Sequence, residues 1–480
     1  MDGEARALPW QWFQPDRPVY VARAPGRLDV MGGIADYSGA LVLQMSLALG
    51  ATVGVQHTND GLLRARTTGP FGATLARQEV AVPVSTLVGA PYQAPERLRA
   101  ALTAGHGAWA AYPLGPLAML VAAGLLTVSG DEPPGDPRGS SPDTGATRPA
   151  PAIGGVRLAV WSDVPPGAGI SSSAALEIAA LRAFATLYDI ELDPLRLATL
   201  AQQAEHRVAL APCGIMDQVA SLLGHRDHLL LLKCQPAQVL GHRHVPRDVW
   251  IRGIDSGVTH RVAGAQYGRV RAAAFMGRAI IAAHAPDEPA GGYLCNVPAA
   301  RFDERYTSLL PEALRGADFL ARYGETGDDA TRVEPDVVYR VRDCTAHPIL
   351  EQENVDEFLA ALDHYDATGR RHALAEAGAA MFRSHESYGM RCGLGTVETD
   401  MIVDLVRRHG QEAGLFGARI TGGGGGGTVA ILGAGPQALA AVEEIAAEYS
   451  RATGNPARVI AGGGPGALDM PVITRDAGAA

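Results

Sequence analysis

Lysine is almost absent from this chain. Of its 41 basic residues only Lys233 is a lysine, and it lies in an apolar run far from any glycine-rich loop. A Walker-type phosphate loop needs a lysine directly after its last glycine. A protein kinase needs a strand lysine together with His-Arg-Asp and Asp-Phe-Gly segments; His225-Arg226-Asp227 is present, but the sequence contains no Asp-Phe-Gly, and its one lysine is not part of a kinase pattern. The sequence therefore excludes both of these phosphate-binding classes.

Cysteine, long apolar runs and positive charge are also scarce. The five cysteines are widely spaced and form no Cys-x-x-Cys pair, so neither a disulfide framework nor a zinc site is indicated. A net charge of −10 argues against a nucleic-acid partner. The longest apolar run, 117–128, is too short to cross a bilayer, and 1–4 lack signal-peptide features. We expect a cytoplasmic protein without a membrane partner, whose oligomeric state stays open, a monomer included.

The length of 480 residues predicts two domains. We place the first at 1–245 and the second at 246–466, with a polar crossing at about 235–246 and a frayed tail at 467–480. A proline- and glycine-rich stretch at about 130–155 cannot bury enough apolar surface to fold, so it is predicted to be a disordered insert in the first domain. The role of this insert and that of the mixed segment 291–348 stay open.

A loop rich in glycine and serine joins a predicted strand at 156–161 to a helix that begins near Ser171. The first N–H groups of that helix point back into the loop, where the glycines leave room for an anion. The sequence therefore predicts a phosphate site, although an ordinary glycine turn that caps a core helix would have the same pattern. Its candidate residues are Gly167, Ala168, Gly169, Ile170, Ser171, Ser172, Ser173 and Ala174.

Further elements are predicted on either side of the proposed crossing. Asp193 and Pro194 are typical of a helix start, and the helix extends to about Leu210 with Glu205 at the edge of its apolar face. Near the C-terminus the pattern predicts a helix, a strand, a six-glycine run, a strand and a helix. Their ranges are 401–408, 418–421, 422–427, 428–432 and 436–449.

Three glycine-rich segments in this order, 24–37, 165–175 and 421–428, resemble the three motifs of the GHMP kinases. The resemblance is closest to the galactokinase branch, through the segments 25–27, 36–39, 203–206, 212–218 and 417–424. The resemblance implies an α+β fold of two domains, the first like domain 2 of ribosomal protein S5 and the second ferredoxin-like. It also implies ATP and Mg²⁺ as cofactors and a small-molecule sugar as substrate.

The resemblance assigns roles to individual residues. Asp217 aligns with the acidic residue beside the C1 hydroxyl of the sugar, and Arg27 aligns with the arginine that contacts that acid and the phosphate. Asp217 would accept or orient the hydroxyl proton, while Arg27 would stabilise developing charge. Glu205 would hold Mg²⁺ with the hydroxyl of Ser172 or Ser173. Taken alone, Asp217 reads as a helix N-cap and Glu205 as a partner for a surface arginine.

The nucleotide base and the sugar have candidate contacts as well. In the superfamily pattern Trp109 and Tyr112 lie near the adenine, although alone they would read as ordinary aromatics. The residues expected to contact the sugar, besides Asp217, are Asp36, Gly33, Ile34, Gly214, Tyr267, Gly423 and Gly424.

One departure from the galactokinase pattern concerns the substrate. Galactokinases carry Gly-Glu-His-x-Asp-Tyr, whereas this chain has Gly33 and Ile34 in place of the Glu and His that approach the 6-hydroxymethyl group. L-Arabinose in its pyranose form is D-galactose with that group replaced by hydrogen, so an apolar pocket suits it. The stretch 27–39 also looks like that of plant L-arabinokinases.

These observations favour an ATP-dependent sugar 1-kinase that makes L-arabinose 1-phosphate and ADP. A galactokinase, or a kinase for another aldose such as a heptose or a uronic acid, is the alternative within enzymes. A non-catalytic sugar- and ATP-binding regulator is the alternative from another class, and a structural nucleotide-binding protein is a third.

Overall fold

The computed structural model describes residues 7–73, 75, 77–105, 107–129, 150–259 and 263–479. The strands are β1 (Pro18–Met31), β2 (Leu41–His57), β3 (Leu62–Thr68), β4 (Glu79–Pro83), β5 (Thr127–Val128), β6 (Ala152–Ile153), β7 (Val156–Ser162), β8 (His228–Lys233), β9 (Gln238–His244), β10 (Val249–Thr259), β11 (Leu314–Arg315), β12 (Val338–Tyr339), β13 (Leu415–Ile420), β14 (Gly426–Ala434), β15 (Arg458–Ala461) and β16 (Ile473–Asp476).

The helices are α1 (Gly69–Ala73), α2 (Ala94–Ala104), α3 (Ala111–Ala122), α4 (Ser172–Leu187), α5 (Pro194–Ala204), α6 (Met216–Leu223), α7 (Ala263–His284), α8 (Ala299–Arg301), α9 (Gly316–Tyr323), α10 (Val341–Thr368), α11 (Arg371–Met390), α12 (Val397–His409) and α13 (Pro436–Thr453). A π-helical turn, Glu205–Ala209, continues α5. No helix within the described ranges is long and apolar enough to cross a bilayer.

The larger sheet has the strand order β16-β1-β2-β7-β3-β4. β7 pairs with one end of β2 and β8 pairs with the other end, so the long strand β2 carries two neighbours along the same edge. β3 and β7 are parallel, and the other pairs of this sheet are antiparallel. Both β1 and β2 are apolar and buried over most of their length, so they form the base of the hydrophobic core of the larger sheet.

Helix α4 packs across β1 and β2. Eleven of its residues are buried, because α3, α5 and α6 cover the sides that the sheet leaves free. Ser171 precedes the helix in the left-handed conformation, with φ 58° and ψ 52°. The Asp193 carboxylate accepts a hydrogen bond from the Arg196 amide and caps α5. These helices hold the N-terminal end of α4 at one edge of the core.

The smaller sheet is antiparallel, with the order β13-β14-β10-β15. Helices α12 and α13 pack together on it around an apolar core. The pair α10 and α11 joins the two sheets, since α11 packs on β13 while Val355 and Phe358 of α10 lie in the core of the larger sheet. The arrangement confirms the predicted α+β fold.

Most predicted elements are confirmed. β7, the start of α4, the start of α5, and the C-terminal order helix, strand, glycine run, strand and helix lie where the sequence patterns put them. The predicted limits differ from the observed ones by a few residues, because the ends of helices and strands depend on contacts that the pattern does not record.

The prediction of a frayed C-terminal tail is wrong. β16 pairs with β1 in the register Pro18↔Asp476 to Val21↔Ile473. The Arg182 guanidinium, buried beneath the sheet, donates to the Met470 carbonyl oxygen at 2.8 Å. The tail is held because β1 would otherwise leave an open edge beside a buried surface.

The polar crossing predicted at about 235–246 begins too early in the chain. Residues Gln238–His244 form β9, which pairs with β8 as a hairpin of the larger sheet. The chain passes to the smaller sheet after β9. Of the predicted insert at about 130–155, residues 130–149 lie outside the described residues, and Ala152–Ile153 form β6 beside β5.

Candidate active site

Two glycine-rich loops, one before α4 and one between β13 and β14, pack directly on each other. A Cβ atom at Gly169 would lie 2.9 Å from the Thr421 carbonyl oxygen, and one at Gly422 would lie 2.4 Å from the Gly169 carbonyl oxygen. Both glycines have positive φ, at 73° and 70°. The Thr428 hydroxyl donates to the Ala168 carbonyl oxygen at 2.8 Å. Only residues without a side chain allow this approach of the two backbones.

The first of these loops borders a cavity that we call the glycine-loop cavity. It is lined by Arg27, Phe71, Tyr112, Pro165, Pro166, Gly167, Ala168, Gly169, Ile170, Ser171, Ser172, Ser173, Leu176, Asp217 and Gly423. The free N–H groups and positive dipole end of α4 face it, as an anion site requires. Ala174 is fully buried instead, and Trp109 packs edge-on against Phe71 at 6.4 Å behind the cavity.

A second cavity, the Asp36 cavity, adjoins the first. It is lined by Arg27, Ile34, Asp36, Ala211, Pro212, Cys213, Gly214, Met216, Asp217, Tyr267, Gly422, Gly423 and Gly424. Three residues line both cavities: Arg27, Asp217 and Gly423. The structure thus brings the predicted phosphate loop and most of the predicted sugar contacts to one place.

Arg27 and Asp217 form the boundary between the cavities. Arg27 Nε and Nη2 donate to Asp217 Oδ1 at 3.0 and 2.7 Å, and Nη1 donates to the Gly169 carbonyl oxygen at 2.8 Å. The Ser171 hydroxyl donates to Asp217 Oδ2 at 2.6 Å. Burial lowers the pKa of Arg27, but Asp217 and Asp29 outweigh it and raise the pKa above its usual value. The guanidinium is therefore fixed and charged between the cavities.

Asp36 is a buried carboxylate that faces its cavity without a partner. Both of its oxygens are buried, and within the described part of the chain neither accepts a hydrogen bond of ordinary geometry, although the Tyr37 backbone amide is close enough to lower the pKa. Burial, and then the charge of Asp217, raise the pKa of Asp36 to about 6, although Arg271 opposes the shift. A Cβ atom at Gly214 would lie 1.5 Å from Asp36 Oδ2, so the Gly214 backbone closes one side of the carboxylate. Such a group is suited to accept hydrogen bonds from ligand hydroxyls.

Gly33 and Ile34 differ in their relation to the site. Ile34 lines the Asp36 cavity and is 1% exposed, with the unusual positive φ of 49° for a β-branched residue. Gly33 does not line the cavity. A Cβ atom there would lie 2.0 Å from Asp29 Oδ2 and 2.1 Å from the Tyr388 hydroxyl oxygen. Gly33 therefore affects the cavity wall indirectly, because the absence of a side chain leaves room for Asp29 and Tyr388 behind it.

The remaining wall is aromatic. Tyr267 of α7 lines the Asp36 cavity and meets the Tyr37 ring edge-on at 6.1 Å between centroids. An aromatic face beside a carboxylate offers a polyhydroxylated ring both C–H packing and hydrogen bonding.

Glu205 lies in a buried carboxyl cluster next to the glycine-loop cavity. Gln218 Nε2 donates to Glu205 Oε2 at 2.7 Å and to Glu177 Oε2 at 3.1 Å. Burial, and then Asp217, raise the pKa of Glu205 to about 7, against an opposing hydrogen bond from Ser173. Burial, and then Glu205, raise the pKa of Glu177 well above its usual range. Glu205 and Ser173 offer the carboxylate and hydroxyl oxygens that Mg²⁺ prefers, although no three His, Cys, Asp or Glu side chains of the described residues are grouped to hold a metal ion.

Sequence reasoning missed several of these residues. Glu177 reads as an ordinary polar residue in an apolar helix, and Phe71 precedes the loop by about a hundred positions. Gln218 directly follows Asp217 in the segment 212–218, so its place beside a predicted catalytic residue could have identified it. The bond from Ser171 to Asp217 joins two predicted groups and depends on the left-handed turn before α4.

Comparison with known protein families agrees with this geometry. Residues 143–225 match the GHMP kinases N-terminal domain, residues 356–452 match the GHMP kinases C-terminal domain, and residues 12–57 match the galactokinase galactose-binding signature.

Similar proteins extend the agreement over the chain. L-Arabinokinase of Arabidopsis thaliana is 33% identical over 95% of this chain, which spans about half, 46%, of that protein. Galactokinase of Chloroflexus aurantiacus is 31% identical, over 91% of this chain and 90% of the relative. The crystal structure of Lactococcus lactis galactokinase complexed with galactose superposes with a TM-score of 0.67 at 19% identity, covering 95% of each chain.

The chain therefore belongs to the GHMP kinase family. It is a sugar kinase of the type that includes the galactokinases and L-arabinokinases, and it transfers a phosphoryl group to a hydroxyl acceptor. Kinases of this family use ATP as the donor.

Proposed function

We propose that the chain is an ATP- and Mg²⁺-dependent L-arabinose 1-kinase, which converts L-arabinose and ATP into L-arabinose 1-phosphate and ADP. The observation that carries the proposal is that the two cavities meet at Arg27 and Asp217. A sugar in one cavity and the phosphates of ATP in the other would meet beside this pair and Gly423, which also lines both cavities.

The glycine-loop cavity would hold the phosphates. Its neutral partners for phosphate are the N-terminal end of α4 and three serine hydroxyls, and its positive partner is Arg27. Together these groups take the place of the lysine that the loop lacks. We assign Phe71 and Tyr112 to the side of this cavity that would receive the base, because both aromatic side chains line it.

The reaction places a sugar hydroxyl beside Asp217. Its carboxylate is held by Arg27 and by the Ser171 hydroxyl, so it can orient the hydroxyl and take up its proton while the oxygen attacks phosphorus. Arg27, fixed by three hydrogen bonds, would stabilise the negative charge that develops on the transferred phosphoryl group.

Glu205 and Ser173, with Ser172 next to Ser173 in the first turn of α4, would hold Mg²⁺. The cation would neutralise phosphate charge, and its presence would relieve the crowding of the buried carboxyl groups around Glu205. Gln218 would keep Glu205 in place, because its amide donates to the carboxylate at 2.7 Å.

The sugar would lie between Asp36, Tyr267 and the glycines 422–424. Asp36 supplies acceptor oxygens for ring hydroxyls, and its buried oxygens have no other partner within the described residues. Ile34 presents an apolar side chain where a polar group would be needed for a 6-hydroxymethyl. A sugar without that group, L-arabinose, leaves no hydroxyl unpaired against Ile34.

D-Galactose is the second candidate acceptor. The match of residues 12–57 to the galactose-binding signature favours it. Discrimination by a single apolar contact is limited to roughly 10- to 200-fold, so a measurable galactokinase activity would be compatible with the main proposal.

The test is a turnover assay of the purified chain with ATP and Mg²⁺ and a panel of L-arabinose, D-galactose, D-glucuronate and heptoses. We expect ADP release to be fastest, in kcat/KM, with L-arabinose, and ³¹P NMR to show a phosphate ester at the anomeric carbon. A higher kcat/KM for D-galactose would overturn the choice of sugar. ATP and sugar binding without turnover would favour a regulator.

A further inference from the structure

The loop 324–332 lies in the 291–348 segment, for which the sequence offered no role. Within it, Asp328 is buried, with 3% of its side chain exposed, and it forms an ion pair with Arg271 of α7, which is 9% exposed. Arg271 Nε donates to Asp328 Oδ2 at 2.9 Å and Nη2 donates to Oδ1 at 2.6 Å. The pair is thus bidentate and shielded from water, which is the geometry in which arginine and carboxylate orient each other most strongly.

Asp328 is itself fixed by its own loop. The Thr331 backbone amide donates to Oδ2 at 3.1 Å, and the Thr331 hydroxyl donates to the same oxygen. A second arginine of α7, Arg278, donates to the Thr326 carbonyl oxygen at 2.8 Å. The loop is therefore attached to α7 at two points and holds the carboxylate in one orientation.

The other side of Arg271 contacts a wall of the Asp36 cavity. Its Nη1 donates to the Cys213 carbonyl oxygen at 3.1 Å, and its guanidinium lies over the Tyr37 ring at 5.3 Å. Cys213 and Gly214 form a wall of the cavity, and the Gly214 backbone closes one side of the Asp36 carboxylate. A continuous series of contacts thus leads from Asp328 through Arg271, Cys213 and Gly214 to Asp36, which would bind the sugar.

Arg271 acts on the charges of two carboxylates but donates hydrogen bonds to only one of them, Asp328. Arg271 is close enough to Asp36 to lower its pKa, yet its hydrogen bonds go to Asp328 and to the Cys213 carbonyl. Asp36 consequently keeps both oxygens available in the cavity. If Asp328 lost its charge, Asp36, the other carboxylate whose charge acts on Arg271, would attract it, and pairing there would occupy the oxygens that the sugar needs.

We propose that Asp328 is a positioning residue for the sugar site: it holds Arg271 on the wall formed by Cys213 and Gly214 and away from Asp36, so that the 324–332 loop sets the affinity for the acceptor. The inference rests on the proposed function in one respect, namely that the acceptor binds in the Asp36 cavity. It does not depend on which sugar is bound.

The test compares Asp328→Asn with a matched control, Glu334→Gln. Glu334 follows in the same segment and faces Arg269 of the same helix at 3.7 Å, but both side chains are more than half exposed. KM for sugar, KM for ATP and kcat are measured with the sugar that the parent phosphorylates fastest. We expect Asp328→Asn to raise KM for the sugar about tenfold or more, with KM for ATP within twofold of the parent, and Glu334→Gln to change neither.

A double variant, Arg271→Gln with Asp328→Asn, separates positioning from stability. It removes both charges of this pair, so no arginine is left buried without its partner and the Tm should recover toward that of the parent. KM for the sugar should recover only in part, because Arg271 can no longer pair with Asp36 but Cys213 and Gly214 still lack its support. Full recovery of KM together with Tm would show a merely structural role and overturn the proposal, as would no recovery of KM or an unchanged KM in Asp328→Asn.

The two proposals fail in different ways. A parent that phosphorylates no sugar would remove the proposed function. The positioning role would then be read from the shift in Tm that each sugar induces in the parent and in Asp328→Asn. Equal shifts in the two proteins, or no shift in either, would overturn it.

Discussion

A Cβ atom placed on Gly33 would lie 2.1 Å from the hydroxyl oxygen of Tyr388. Tyr388 is fully buried in α11 and donates that hydroxyl to the Gly422 carbonyl oxygen at 2.9 Å. Behind it, Arg419 Nη1 donates to Asp29 Oδ2 at 3.1 Å, with both side chains fully buried. The space that a glutamate would need at position 33 is therefore filled by a polar layer that also supports the second glycine loop.

The first prediction concerns this contact. Gly33→Ala should lower the free energy of unfolding by about 1–3 kcal/mol through overpacking, and Tyr388→Phe by a similar amount through the unpaired Gly422 carbonyl. The double variant should lose less than the two single losses together, since phenylalanine lacks the oxygen that the added methyl group would meet. Denaturant unfolding of the parent, the two single variants and the double variant measures these free energies as a double-mutant cycle.

Gly389→Ala is the matched control for that cycle. It lies one residue from Tyr388, but a Cβ atom there meets nothing within 4 Å, so the substitution should not destabilise the chain. Simple additivity of Gly33→Ala and Tyr388→Phe would contradict the assignment of the contact.

The second prediction concerns the proton of the acceptor. Asp217→Asn cannot take up a proton, so kcat should fall by roughly 10²–10⁴-fold while KM for ATP changes little. Asp404→Asn, on the exposed side of α12, should keep the activity of the parent. Activity of Asp217→Asn close to that of the parent would remove the mechanism.

The third prediction concerns Glu205 and Mg²⁺. Glu205→Gln weakens a hard oxygen donor, so we expect half-maximal activity to require at least about tenfold more Mg²⁺. Titration of activity against free Mg²⁺ measures this shift. Glu443→Gln, exposed on α13, should give the titration curve of the parent. The same curve for Glu205→Gln would mean that the cation is held elsewhere.

The fourth prediction concerns pH. The pKa of Asp36 is raised from 3.8 to about 6, so the folded chain holds this proton more tightly than the unfolded chain. Ionisation of Asp36 therefore lowers the stability of the sugar-free protein as pH rises from about 4 to about 6, by at most roughly 3 kcal/mol. The Asp36→Asn variant should lack this part of the pH dependence.

The same shift has a kinetic side. The sugar hydroxyls need the ionised carboxylate, so KM for the sugar should rise as pH falls below about 6, whereas KM for ATP should follow a different profile. A stability difference between the parent and Asp36→Asn that does not vary from about pH 4 to about pH 7 would contradict the assignment.

The fifth prediction concerns the C-terminal strand. Ile473→Asp places a charge where β16 packs against the small core around Val19 and Val21, so Tm should fall. Thr474→Asp, on the exposed face of the same strand, should leave Tm nearly unchanged. Equal effects of the two substitutions would mean that β16 does not contribute its side chains to the core.

Local patterns predicted much of the fold because they depend on neighbouring residues. The alternation in β7 and the helical spacing after Ser171 identified the strand–loop–helix unit, and Asp193 was recognisable as a cap. β9 and β16 were missed, because a short polar strand is stabilised by the partner strand beside it rather than by its own sequence.

The sequence by itself determined the kind of chemistry. The near-absence of lysine and the glycine and serine loop indicated phosphate binding by backbone and arginine, and the resemblance of the segments around Arg27 and Asp217 to those of GHMP kinases implied phosphoryl transfer to a hydroxyl. These are properties of residue types in fixed local order, which a chain displays before it folds.

Only the tertiary structure decided how the groups act together. It joined Ser171 to Asp217, left Asp36 without a partner among the described residues, put Tyr388 against Gly33, and brought Asp328 to Arg271. The contacts join residues that are far apart in the chain, and the lack of a partner for Asp36 depends on which groups the fold places around it. Burial and distance set their strength, and both arise only when the two sheets and their helices are packed.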